Sequence, residues 1–153
     1  MNWNEIKWIF EPDGTLRDIY IKNVNIDIWI KLISYLNQKF DIKYGSNGAN
    51  KIDLEYVTES LTNHDEKRER YSASIIIDNI IINTHFFFDQ EIEFDLDPKE
   101  INSKSNFEKV LNFMTNISKI LNREVILTGE NQMEFPLITI DYCKQIRKAL
   151  IKS

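Results

Sequence analysis

The sequence predicts an α+β fold built on a mainly antiparallel, twisted sheet of about six to seven strands. Three consecutive strands are indicated between Ile75 and Asp97, where β-branched and aromatic residues run almost without interruption. Two long helical patterns interrupt the strands without a regular alternation of strand and helix, which favours α+β over a doubly wound α/β fold. We therefore expect two long helices on one face of the sheet, a further helix at the C-terminus, and an opposite face that is at least partly open.

The length and the charge of the chain limit its organisation and its partners. A chain of 153 residues has a typical size for one domain, which we expect to span residues 1–153. The net charge of −5 disfavours a general nucleic-acid binder and favours a basic partner, although it could also serve only to keep the protein in solution. No signal peptide or membrane-length apolar run is visible, so a cytoplasmic location is expected. We expect no cofactor.

The N-terminal residues predict a hairpin. Trp3–Phe10 alternates as a first strand, and Glu11–Gly14 combines proline, aspartate and glycine in a typical turn. Thr15–Ile21 then returns as a second strand. Arg17 and Asp18 are adjacent on that strand, so their side chains should point to opposite faces. They could be cross-strand ion-pair partners or part of a contact surface, and the structural role is favoured.

The next segment predicts a helix and then a third strand. Asp27 is a candidate N-cap for a helix that runs to about Phe40. Residues 52–56 alternate between apolar and acidic side chains, which indicates a strand with Asp53 and Glu55 on its outer face. The charged residues 59–70 are expected to form an exposed connection.

The central three strands carry the most suggestive pattern in the sequence. The runs Ile75–Ile77 and Ile80–Phe88 are typical of strands covered on both faces, and Asp78-Asn79 between them suits a two-residue turn. The third strand alternates strictly. Its apolar side should consist of Ile92, Phe94 and Leu96, and its acidic side of Glu91, Glu93, Asp95 and Asp97.

The C-terminal third predicts two helices with two strands between them. Ser105 and Glu108 fit a capping box that opens the second long helix. The buried stripe of that helix should be Phe107, Val110, Leu111, Met114, Ile117 and Leu121. Strands are predicted at Glu124–Thr128 and Phe135–Ile140, and a last helix from Asp141.

Catalytic signatures are not evident. The sequence contains no nucleophile elbow, phosphate-binding loop or dinucleotide fingerprint, and Cys143 is the one cysteine. His85 is interpreted as a structural histidine on a central strand. The protein is therefore expected not to be an enzyme. The alternative is a metal-dependent enzyme that acts on nucleic acid or phosphoesters with strand carboxylates.

The acidic strand residues are the candidate partner-binding site. They could form a solvated strand face that discourages aggregation, an electrostatic surface for a basic protein, or a metal site. The predicted set for a protein partner is Asp53, Glu55, Glu91, Glu93, Asp95 and Asp97.

Two stretches of the chain resemble a known group of proteins. The segment from Trp8 to Tyr20, WIFEPDGTLRDIY, is similar to the opening of bacterial immunity proteins of polymorphic toxin systems, and so is the later Leu127–Asn131 segment with the following Phe135–Ile138. This resemblance implies a cytoplasmic inhibitor that binds a cognate, often basic, toxin and occludes it. A structural or regulatory interaction module remains a further alternative.

Overall fold

The computed structural model describes residues 1–64 and 67–152. In this part of the chain the α-helices are α1 (Trp3–Ile6), α2 (Ile26–Lys39), α3 (Leu54–Asn63) and α4 (Lys104–Leu121). The strands are β1 (Arg17–Lys22), β2 (Asp41–Tyr44), β3 (Ala73–Ile77), β4 (Ile80–Phe88), β5 (Glu91–Leu96), β6 (Val125–Gly129), β7 (Ile138–Asp141) and β8 (Ile146–Ala149). Short 3-10 helices occupy Lys7–Phe10 and Pro98–Glu100. None of the helices in the described ranges is long and apolar enough to cross a bilayer.

Within the described residues, the strands form one eight-stranded sheet in the order β2-β3-β4-β5-β1-β6-β7-β8. All neighbouring strands run antiparallel. The first strand in the chain, β1, is central in the sheet because it inserts between β5 and β6. The predicted α+β class and antiparallel sheet are confirmed, with slightly more strands than expected.

The helices cover one face of the sheet. Aromatic contacts tie α2 and α4 to this face: Trp29 lies 5.6 Å from Phe86, and Phe113 lies 5.3 Å from Phe94, between ring centroids. Helix α3 packs on the same side, since Val57 and Phe86 line one small cavity. The central strands therefore present alternate residues to the core.

The N-caps of the long helices differ from the predicted ones. The side chain of Asn25, not of Asp27, accepts a hydrogen bond from the Ile28 amide at the start of α2. Ser103 caps α4 by accepting from the Asn106 amide, so the predicted capping box at Ser105 is wrong. The predicted buried stripe of α4 is confirmed at all six positions: Phe107, Val110, Leu111, Met114, Ile117 and Leu121.

Three predicted elements are wrong. Trp3–Phe10 forms α1 and a 3-10 helix rather than a strand, so the N-terminal hairpin does not form. The predicted strand at 52–56 is the start of α3, because Asp53 accepts from the Tyr56 amide and acts as its N-cap. The predicted C-terminal helix is a turn followed by β8. The charged connection is shorter than predicted because α3 extends to Asn63, and two of its residues, 65 and 66, lie outside the described residues.

The predicted strands β3 and β4 are confirmed, but they are not covered on both faces. Ile80 and Ile82 are buried against the helices, whereas Ile81 between them is exposed. The turn between the strands places Asp78 at a φ of +53°, as its sequence suggested. In the described part of the chain no helix packs on the second face of the sheet. Ile81 on this face is exposed whereas Asp18 and Tyr20 are buried, so the face is partly open, as expected.

Candidate protein-binding face of the sheet

The open face gathers carboxylates from two neighbouring strands. Asp18 of β1 lies directly opposite Asp95 of β5, and Tyr20 lies opposite Glu93. Directly opposed residues of an antiparallel pair have Cα atoms about 4.5–5.5 Å apart. Like charges in this position destabilise a sheet. We call Asp18, Glu91, Glu93 and Asp95 the acidic cluster.

A chain of side-chain hydrogen bonds fixes Asp95. The His85 Nε2 atom lies 2.5 Å from Asp95 Oδ2, and Asn83 donates to Asp95 Oδ1 at 3.2 Å. Ser74 donates in turn to Asn83, and the His85 Nδ1 atom lies 2.9 Å from the Ser72 hydroxyl. Asp95 is therefore held by β4 and is less free than its neighbours to change partners.

Asp18 is buried, and its carboxylate accepts two hydrogen bonds. It is 3% exposed, and one carboxylate oxygen accepts from the Tyr20 hydroxyl and from the Asn131 amide, both at 2.8 Å. The loop between β6 and β7 is thereby fastened to the open face at its central strand. Asp18 contributes negative charge to the face while its side chain has a structural role.

Glu91 and Glu93 are the unpaired members of the acidic cluster. Among the described residues, no Lys, Arg or His nitrogen lies within ion-pair distance of either carboxylate. Burial raises the pKa of Glu93, and the charge of Asp18 raises it further. Burial also raises the pKa of Glu91, against the opposing effect of Lys22. The fold thus holds two partly buried carboxylates without a close ion pair, and only the charges of Lys22 opposite Glu91 and of His85 opposite Glu93 oppose the effect of burial.

The hydrogen bond to Asp95 also affects His85. It raises the pKa of His85, mainly because the charged imidazolium is the better donor, while burial acts in the opposite direction. Burial and the hydrogen bond to Asp18 raise the pKa of the Tyr20 hydroxyl, which remains a donor. His85 has the structural contacts that the sequence suggested, and it also belongs to the acidic face.

A β-bulge adds two aromatic side chains beside the acidic cluster. His85 pairs with Glu93 and Phe88 pairs with Glu91, so two residues of β4 lie opposite one residue of β5. Phe88 is 60% exposed and Phe87 is 45% exposed. Phe87 stacks on His85 with ring centroids 5.2 Å apart and contacts Phe88.

The predicted site residues do not form one surface. Glu91, Glu93 and Asp95 lie together on β5, as predicted. Asp97 lies past the end of the strand, where its side chain accepts from the Lys99 amide and caps a 3-10 helix. The chain continues from there into Pro98, which ends the strand as expected.

Asp53 and Glu55 lie elsewhere. Both belong to the start of α3, on the helical side of the sheet, and Asp53 is committed to capping that helix. Their predicted position on the outer face of a strand is wrong, because residues 54–63 are helical. The sequence missed Asp18, Tyr20, Phe87 and Phe88 as members of the face. The bulge has no turn residue that could have marked it.

Arg17 lies on the other side of β1 from Asp18, as predicted. It is 5% exposed, and its guanidinium donates to the carbonyls of Ile9 at 2.6 Å and Glu11 at 3.0 Å and to the Asp13 carboxylate at 3.3 Å. Hydrogen bonds from Thr15, with a further contribution from Arg17, lower the pKa of Asp13 to about 2. Arg17 therefore fixes the N-terminal helical segment to the sheet, which confirms the structural interpretation.

Side chains that could bind a metal ion do not cluster in the described residues. No group of three or more His, Cys, Asp or Glu side chains among them is arranged to hold a metal ion. Cys143 is exposed in the turn between β7 and β8 rather than in a helix, and His64 ends α3 with a φ of +50°.

Known proteins show little similarity to this chain. No family model matches the chain, and no curated protein matches it. A chain from the crystal structure of the toxic C-terminal tip of CdiA from Pseudomonas aeruginosa in complex with immune protein aligns with 82% of this chain and 94% of its own length. The identity is 11% and the TM-score is 0.44. A similarity at this level carries no argument about the fold or the function.

Proposed function

We propose that this protein is a cytoplasmic immunity protein that binds and occludes a basic toxin domain through the open face of its sheet. The observation that carries the proposal is the pair Glu91 and Glu93, which the fold keeps partly buried and without a close ion pair among the described residues. An arginine or lysine from another protein would relieve this unfavourable charge. The resemblance of residues 8–20 to immunity proteins supports the same function.

Electrostatic complementarity of this kind acts mainly on the rate of encounter and on specificity. Salt should weaken the complex, because the screening length falls from about 10 Å at 0.1 M to about 3 Å at 1 M ionic strength. A structured face also suits a stoichiometric inhibitor, since binding requires little reorganisation of the inhibitor.

The test begins with a tagged pull-down from the native bacterium at low and at high salt, read by mass spectrometry. We expect one basic protein in near-equal amount, with less recovered at high salt. The partner is then purified, its toxicity is assayed in cells, and co-expression of the present protein should restore growth. No partner at either salt, or a partner without toxicity, would contradict the proposal.

A charge-reversal pair tests the role of the acidic cluster. The double variant Glu91→Lys, Glu93→Lys should slow association about tenfold or more, with a smaller change in dissociation. Asp95 is left intact because His85 and Asn83 hold it. The matched control, Glu55→Lys with Glu108→Lys, makes the same change of net charge at exposed positions of α3 and α4, on the helical side of the sheet. Equal association rates for the two double variants would exclude the acidic cluster as the binding surface.

A further inference from the structure

The β-bulge in β4 turns two consecutive aromatic residues toward the open face. In a regular strand, Phe87 and Phe88 would lie on opposite faces, because side chains alternate with a period of two. Here Phe86 packs against Trp29 in the core, Phe87 stacks on His85, and Phe88 lies opposite Glu91. The irregularity thus exposes an aromatic pair that a regular strand would divide between the two faces.

The backbone of this aromatic pair is held from outside the strand. Arg70 donates to the carbonyls of Phe86 at 3.2 Å and Phe87 at 2.7 Å. The Trp29 indole donates to the carbonyl of Phe88 at 3.0 Å. The backbone of the aromatic pair is therefore fixed in the free protein, which lowers the conformational entropy lost on binding.

We infer that Phe87 and Phe88 are the apolar anchor of the interface, and that their occupant is an apolar side chain of the basic partner next to one of its lysines or arginines. The inference rests on the proposed function and assigns the source of affinity within it. Aromatic residues, phenylalanine among them, are enriched in protein interfaces relative to the rest of the surface. A cation seated near Glu91 also lies within reach of the Phe88 ring, where a cation-π contact adds to the attraction.

A second copy of this chain is the less suitable occupant of the same face. Two copies that met through the aromatic pair would bring their acidic clusters together. Lys22 and His85, which lie opposite Glu91 and Glu93, offset only part of the repulsion among the four carboxylates of each cluster. Charge complementarity therefore selects a basic partner.

The experiment measures binding kinetics with the purified toxin partner. Phe87→Ala with Phe88→Ala should raise the dissociation rate about 30-fold or more and leave the association rate within about threefold. The control is Tyr142→Ala, which removes an aromatic ring that is 46% exposed in the turn between β7 and β8, beside Ser118 of α4 on the helical side of the sheet. That variant should dissociate at the wild-type rate. Because the two substituted side chains are exposed, melting temperatures should confirm that the double variant remains folded.

The outcomes separate the two proposals. An unchanged dissociation rate in the folded double variant would overturn the aromatic anchor while leaving an acidic interface in place. Equal acceleration by Tyr142→Ala would overturn it as well, because the effect would not be specific to the bulge. If the pull-down returns no partner, both proposals fail. If the double variant self-associates less than the wild-type protein in sedimentation, the occupant is a second copy and the inference is wrong.

Discussion

The His85 Nε2 atom of β4 lies 2.5 Å from the Asp95 carboxylate of the neighbouring strand β5. The two residues are diagonal neighbours, because His85 pairs with Glu93 and Asp95 pairs with Asn83. The other ring nitrogen contacts the Ser72 hydroxyl. Protonated His85 can therefore donate at both nitrogens, and the contact links the charge of the open face to pH.

This contact predicts a loss of stability as pH rises. The folded state raises the pKa of His85 above its ordinary value of 6.5. The stabilising contribution of the proton is therefore fully present below about pH 6.5 and is lost as the pH rises through the folded pKa. Urea unfolding at several pH values should show this decline in the free energy of unfolding. The variant His85→Gln should show a weaker decline of the free energy of unfolding over the same pH range. A wild-type protein whose stability rises over the same interval would contradict the prediction.

Removal of the charge of Glu93 should stabilise the protein. Burial and the neighbouring Asp18 raise the pKa of Glu93, so its ionised form is disfavoured in the fold at neutral pH. Glu93→Gln should increase the free energy of unfolding by a few tenths to about 1 kcal/mol, since the site is still partly solvated. Chemical denaturation at neutral pH measures this, with Glu55→Gln as the control on α3. A less stable Glu93→Gln protein would show that the charge of Glu93 does not destabilise the fold.

Arg17 is expected to be the most costly polar residue to replace. Arg17→Met removes donors from the carbonyls of Ile9 and Glu11 and should destabilise the protein by about 2–4 kcal/mol. Hydrogen exchange should quicken first in residues 1–16, because these donors hold that segment to β1. Asp13→Asn is the control. Asp13 is exposed and Asn can still accept from Thr15, so its effect should be much smaller. Equal losses in the two variants would indicate that the Asp13 contact, not the carbonyl contacts, dominates.

Asp18 allows a comparison of charge with hydrogen bonding. Asp18→Ala leaves the Asn131 amide and the Tyr20 hydroxyl without an acceptor and should cost about 1–3 kcal/mol. Asp18→Asn retains an acceptor oxygen and removes the repulsion with Asp95, so its stability should stay near that of the wild type. Thermal unfolding measures both, and exchange of the Asn131 amide reports the local contact. If Asp18→Asn were as unstable as Asp18→Ala, the negative charge itself would be required.

The sequence was most informative where long patterns are constrained by packing. The stripe of α4 and the alternation of β5 were predicted residue by residue, because both elements bury one side against the same core. The predictions for short segments were wrong for a physical reason. Over five residues, as at Ile52–Tyr56, an alternating pattern also fits the beginning of a helix, and the capping bond of Asp53 decides the outcome.

The candidate site was harder to predict because its residues are far apart in the sequence and come together only in the folded sheet. Asp18 contacts the amide of Asn131, and β1 reaches β5 only through the order of strands in the finished sheet. The acidic alternation of β5 was visible in the sequence. The neighbours that make it a cluster were not, since no local pattern encodes the insertion of β1 between β5 and β6.

The alternation of β5 has a consequence for how such a protein can diversify. Ile92, Phe94 and Leu96 are buried in the core, whereas Glu91 and Glu93 point away from it on the same short strand. Substitutions at the outward positions can accumulate over generations without disturbing the residues that make the chain fold. The charge of this face can therefore change in small steps, each of which leaves a folded protein.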